Sequence, residues 1–198
     1  MPKSTFFNLS DDKKERIFDA AVQEFSKRRF SDASINQIIK NAGIPKGSFY
    51  QYFADKEDIY LYMVEKISKE SHEILGDREA LNPDAGFLET IIQRAKDTLK
   101  LGKQRPDYTK IGVLMVVDNS AFTFQLLKAS SQKHIEMIER DKQRGLIKPE
   151  IDSGVLIKLI HIYVYNEYLY SGFDENLYLK KVESAVQIIK QGIVVHQD

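Results

Sequence analysis

The chain has 198 residues, 29 Lys and Arg against 29 Asp and Glu, 42% apolar residues, five prolines, ten glycines and no cysteine. That composition excludes a disordered or low-complexity chain, disulfides, thiolate metal sites and cysteine nucleophiles. The longest apolar run, Ile111 to Val117, is far short of the ~20 residues that cross a bilayer, and the start lacks an apolar signal core, so a cytoplasmic protein without membrane contact is expected.

Apolar spacing is helical nearly throughout and no period-2 strand pattern stands out, so an all-α fold is predicted. Ser10 is suited to cap a first helix, with Asp11 and Asp12 in its first turn. The helix should run to about Arg29, burying Phe18, Ala21, Val22 and Phe25 at i, i+3, i+4 and i+7, with Lys14, Glu15 and Glu24 on the opposite face. After the turn Phe30-Ser31-Asp32-Ala33, Ser34 and Gln37 read as a capping box. It opens a short helix with the stripe Ile35, Ile38, Ile39 and Ala42. Gly43 supplies a left-handed stop, Ile44 plugs the corner, and Pro45 suits the start of a third short helix reaching about Phe53.

Asp55 should cap a long fourth helix with the stripe Tyr60, Met63, Val64 and Ile67. A break through Asn82-Pro83-Asp84 precedes a fifth helix marked by Leu88, Ile91, Ile92, Ala95 and Leu99, and a second break spans Gly102 to Asp107. Ile111 to Val117 reads as a buried helix, followed by a long helix from Asn119-Ser120 to about Arg144 that Gly145 and Pro149 stop. Asp152 should cap a helix ending near Gly172. Tyr178, Val182, Ala185, Val186, Ile189 and Ile193 mark the last one.

Two short helices around a glycine turn are the layout of a helix-turn-helix, whose second helix enters the DNA major groove. On that second helix Phe49 and Phe53, at i and i+4, anchor one face, leaving Lys46, Gly47, Tyr50 and Gln51 outward. These side chains offer donors to phosphates and base edges, and Gly47 permits close backbone approach. A net charge of zero is unhelpful to DNA binding, but it is unevenly spread. Residues 1–56 carry ten Lys and Arg against seven Asp and Glu, hence +3, and the remainder 19 against 22, hence −3.

Ile17-Phe18-Asp19-Ala20-Ala21, Phe25, Ser34-Ile35, Ile38, Ala42-Gly43-Ile44, Lys46-Gly47-Ser48-Phe49-Tyr50, Tyr52-Phe53 and Lys56-Glu57 together resemble the signature of the tetracycline-repressor (TetR) family. The resemblance covers roughly residues 13–60. It implies an N-terminal three-helix DNA-binding domain, 1–54, and a C-terminal helical ligand-binding and dimerisation domain, 55–198. The turn Gly145 to Asp152 is similar to the one that precedes the family's dimerising helices. The resemblance further implies that Ser34, Tyr50, Tyr52 and Lys56 contact phosphates, and that Lys46, Gly47 and Gln51 approach bases with Ser48 on the same helix. Tyr52 stands where the family commonly has histidine, which shifts or weakens that contact.

The implied function is a homodimeric repressor of a double-stranded DNA operator, released by a small-molecule effector, with Leu114, Met115, Phe122 and Tyr163 expected to line the effector pocket. Alternatives are a dimeric regulator controlled by a protein partner or its own concentration, and a helical enzyme or carrier keeping a vestigial DNA-binding module. His72, His134, His161 and His196 lack the spacing of metal ligands, and Glu136 with Glu139 reads as a solvated face. No nucleophile elbow, phosphate loop or dinucleotide fingerprint occurs, so neither enzyme chemistry nor a cofactor is expected.

Overall fold

The computed structural model describes residues 1–76, 84–171 and 174–193. Its helices are α1 (Ser4–Phe7), α2 (Asp11–Phe25), α3 (Ile35–Ala42), α4 (Lys46–Tyr52), α5 (Lys56–Leu75), α6 (Phe87–Gln104), α7 (Pro106–Val116), α8 (Ala121–Gln143), α9 (Ser153–Tyr170) and α10 (Glu175–Ile193). No strand occurs among the described residues, in agreement with the helical periodicity. The helix stop expected at Gly172, the break at Asn82-Pro83 and His196 lie outside the described residues. The chain divides into two compact units, residues 1–76 with 101–124, and residues 77–100 with 125–198.

In the first unit α2 packs on α3, α5 and α7. Its apolar stripe Phe18, Ala21, Val22 and Phe25 is buried as expected, together with Ile17. The helix ends at Phe25 rather than near Arg29. Phe30 and Tyr60 then close an aromatic layer over Phe25, with ring centroids 4.7–6.3 Å apart. Two expectations about this stretch are corrected. Glu24 does not lie on the solvated face. It is 4% exposed, and its carboxylate accepts the Ser34 amide at 2.9 Å. The Ser34–Gln37 capping box is accordingly absent: the Gln37 amide donates to Asn41 instead (2.8 Å). A charged acceptor held at a helix start by a neighbouring helix meets the same orphan amide as a local box, with a stronger bond.

The short helix α1 was not anticipated. Four residues without periodicity are too few to read as a helix, yet Phe6 is fully buried against Tyr52, Phe53 and Tyr62. Around that anchor the Lys3 amide donates to the Tyr52 carbonyl (2.8 Å), the Lys3 ammonium to the Tyr50 carbonyl (2.8 Å), and the Thr5 hydroxyl to the Gln51 carbonyl. The last carbonyls of a helix lack intrahelical donors, and these three groups supply them for α4.

In the second unit, caps read from the sequence hold: Asp152 accepts the Val155 amide (2.8 Å) and Gly145 adopts φ 69° after α8. Another cap comes from far along the chain. Asp141 of α8, itself buried, accepts the Phe87 amide at the start of α6 (2.7 Å). The expected break from Gly102 to Asp107 narrows to Arg105, because α6 continues through Gly102 to Gln104 and Pro106 opens α7. Lys148 ties the following turn to α10, its amide donating to the Ile193 carbonyl (2.8 Å) and its ammonium to the Gly192 carbonyl (2.9 Å).

Candidate nucleic-acid interface

The helix-turn-helix forms where the sequence places it. Gly43 ends α3 at φ 64°, and the Ile44 amide returns to the Ile39 carbonyl (3.3 Å). A side chain at φ 64° would meet a steric penalty that glycine avoids. Ile44 is buried in the corner, and the Pro45 carbonyl accepts from the amides of Ser48 (3.0 Å) and Phe49 (3.2 Å) to start α4. Phe49 and Phe53 are fully buried, while Lys46, Gly47, Tyr50 and Gln51 are exposed and Ser48 is half-buried. A Cβ built on Gly47 would meet no atom within 4 Å, so no packing inside the protein calls for glycine there.

The remaining predicted contacts are placed differently. Ser34 is exposed, its amide engaged by Glu24 and its hydroxyl making no cap bond. Lys56 is half-buried, and its ammonium donates to the carbonyls of Ser31 (3.2 Å) and Ala33 (3.1 Å) while lying 4.7 Å from the Phe30 ring centre. An ammonium has three donors, which leaves one beyond these two. Tyr52 is only 6% exposed; its ring packs against Phe6 and its hydroxyl accepts from Lys13 (3.1 Å). The Tyr52 side chain thus serves the packing of α1, α2 and α4, a role its apolar ring permits.

Behind this surface stands a device the sequence did not reveal. Asp118, in the α7–α8 corner, is buried and accepts four hydrogen bonds. The Ser31 amide and hydroxyl donate to one oxygen (both 2.8 Å), and the Ser120 amide (2.8 Å) and Thr123 hydroxyl (2.9 Å) to the other. Burial alone would raise its pKa. The hydrogen bonds from Ser120 and Ser31 outweigh that and hold the carboxyl well below the usual carboxylate range. Next to it the Phe122 ring packs tilted against Phe30 (4.5 Å) and edge-on against Tyr60 (5.8 Å). The turn entering the helix-turn-helix is therefore gripped by Asp118 and Phe122 on one side and by Lys56 on the other. An Asp two residues before a Ser, with another Ser 87 residues away, carries no local signal for such a clamp.

The residues expected to line an effector pocket divide between the units. Leu114, Met115 and Phe122 lie in the first, and Tyr163 in the second, where its hydroxyl meets the Lys181 carbonyl at 3.4 Å. Leu114 faces an open surface depression shared with Lys27, Arg28, Arg29 and Asp32, and Phe122 is committed to the aromatic layer just described. No group of three or more metal-ligating side chains occurs among the described residues.

Comparison with known proteins converges on the same segment. The family model for bacterial regulatory proteins of the tetR family matches residues 17–63. The helix-turn-helix-type transcriptional regulators YdgC and YvdT of Bacillus subtilis are similar. YdgC is 26% identical over 143 residues, 70% of each chain, and YvdT 24% over 192 residues, 92% of this chain and 94% of that one. A TetR family transcriptional regulator from Chloroflexus aurantiacus shares the fold with a TM-score of 0.63 at 24% identity, covering 99% of this chain and 100% of that one. Motif, geometry and likeness agree: residues 17–63 match the model of the bacterial regulatory proteins of the tetR family, and most of the chain is similar to helix-turn-helix-type transcriptional regulators.

Proposed function

We propose that the protein is a cytoplasmic homodimeric repressor that binds a palindromic DNA operator through α4 and leaves it when a small effector occupies the second unit. The observation that carries this reading is the outward face of α4. Lys46, Tyr50 and Gln51 stand exposed beside a glycine that nothing inside the protein requires, which suits a helix pressed closely into a groove. Ser34, Ser48 and Lys56 flank that face as phosphate donors, and Tyr52 acts through its bond with Lys13. The Gln51 amide can pair with adenine.

Dimerisation is supported by α9, where Val155, Leu159 and Ile162 form an exposed stripe at i, i+4 and i+7, Leu159 being 61% exposed, and by Leu177 and Ile188 of α10. Apolar side chains in such a row mark a surface that another chain covers. Two copies would set their α4 helices in successive major grooves about 34 Å apart. An effector favouring a conformation with another spacing must then lower operator affinity, by linkage. The likeness to transcriptional regulators supports a regulator rather than an enzyme.

The test is retardation of DNA carrying the protein's own promoter at low salt. Binding is expected, with Lys46→Ala weakening all sequences alike and reducing the salt slope by about one. Gln51→Ala should relax preference at one base pair. A dimer that fails to retard the promoter would overturn the reading.

A further inference from the structure

DNA recognition leaves one feature of the second unit unused. Helices α6, α8, α9 and α10 bury a largely aliphatic core that holds one polar and aromatic cluster. His134 of α8 is 3% exposed, and among the described residues neither Nδ1 nor Nε2 has a hydrogen-bond partner; the fully buried Tyr178 hydroxyl of α10 has none there either. The His134 ring meets His161 of α9 edge-on at 5.2 Å and Phe87 of α6 at 6.3 Å, and His161 meets Tyr165 at 6.0 Å. These two histidines share no local spacing, because 27 residues separate them; only the packing of α8 on α9 pairs them. A buried polar atom left unpaired destabilises the fold, and leucine at 134 would avoid that cost.

The chemistry facing these rings is that of an anion receptor. Arg94 lies seven residues beyond Phe87, so on the same face of α6, and no carboxylate among the described residues forms an ion pair with it. Burial, and then the Arg94 charge, hold His134 down at about 3 and His161 at about 4. Each neutral imidazole therefore keeps one N–H to donate. Asp97, one turn further along α6, already accepts from Gln93 (2.9 Å). Glu167 bears on Tyr178 at the other end of the cluster and disfavours an anion there.

We propose that His134, His161 and Arg94 bind the carboxylate of a small organic acid whose apolar body packs among Phe87, Tyr165 and Tyr178, and that this acid is the effector. The second clause rests on the reading of the chain as a ligand-released regulator; the first does not. The two imidazoles lie in ring contact with each other, with Phe87 and with Tyr165, and Arg94 follows Phe87 by two turns of α6; nitrogen donors beside aromatic rings suit an amphiphilic acid.

The test uses the full chain and a series of monocarboxylates, hexanoate to decanoate with benzoate and phenylacetate, beside the corresponding primary amides. Thermal stability and the proton–carbon spectrum of the imidazoles are read, with His134 assigned from His134→Leu. At least one acid is expected to raise the melting temperature and move both imidazole signals, its amide doing neither. Arg94→Gln, at an exposed position that folding tolerates, should weaken that acid about tenfold. The site is overturned if no acid moves the imidazoles, if acids and amides bind alike, or if Arg94→Gln binds undiminished. Operator retardation in the same preparations separates the two claims. DNA binding with silent imidazoles removes the acid site alone, an acid that binds without loosening the operator removes its role as effector, and an imidazole response without any DNA binding removes the regulator reading.

Discussion

The two units differ in how many of their buried polar groups are paired. In the first, Asp118 takes four donors, Glu24 caps α3, and the carbonyls ending α4 are met by Lys3 and Thr5. Apart from the Thr109 hydroxyl, its buried side-chain polar atoms are engaged. In the second, His134 and Tyr178 bury polar atoms that nothing among the described residues satisfies. A surface that must match a rigid groove gains from polar groups that fix it, whereas a unit that responds to a ligand gains from polar groups left open. The contrast predicts that removing polar atoms weakens the first unit and leaves the second intact or stronger.

The largest effect expected is apolar. Phe53→Ala empties a fully buried position shared by α1 and α4 and should cost about 3–5 kcal/mol in chemical denaturation. Amide exchange should rise across residues 1–76 and not across 125–171. Asp118→Ala comes next, at about 2–3 kcal/mol, because the Thr123 hydroxyl is left without its acceptor in a buried place and the turn at Ser31 loses its tether. Its operator affinity should fall although the residue is not on the α4 face. An Asp118→Ala protein with unchanged stability would break the contrast from one side. Gly43→Ala should cost about 1–2 kcal/mol through the left-handed backbone alone, since a Cβ there meets nothing.

The smallest effect belongs to the second unit and has the opposite sign. His134→Leu should leave stability unchanged or slightly raised at neutral pH, the two unpaired nitrogens being gone. It should also flatten the acid side of the stability curve. Both imidazoles are depressed in the folded state, His134 to about 3 and His161 to about 4, while an unfolded histidine titrates near ~6.5. Between those values the unfolded chain binds more protons, so stability falls as pH drops below about 6.5, by no more than about 1.4 kcal/mol per pH unit for each histidine. A melting profile of the unaltered protein that is flat from pH 7 to pH 4 would break the contrast from the other side.

Where a structural rule is local, the sequence was legible. Gly43 and Gly145 stop helices because only their neighbours decide that a left-handed residue is needed. Asp55 and Asp152 cap because the amides they serve lie three residues on, in Asp58 and Val155. The Phe49–Phe53 anchor and the exposed Lys46, Tyr50 and Gln51 follow from one helix turn of spacing. Where the same need is met from a distance, local reading chose the wrong partner. The orphan amides at the starts of α3 and α6 are taken by Glu24 and Asp141, which nothing nearby in the chain announces.

By itself, then, the order of residues determined an all-helical chain, the position of the helix-turn-helix and the face it turns outward, because periodicity, capping and turn chemistry act within a few residues. The packing of distant helices alone decided that Phe6 braces the end of α4, that Tyr52 turns inward, that Asp118 clamps Ser31, and that His134 meets His161. Those pairings depend on which side chains come within a few ångströms after the chain has closed loops of tens of residues, and no short-range pattern encodes that distance.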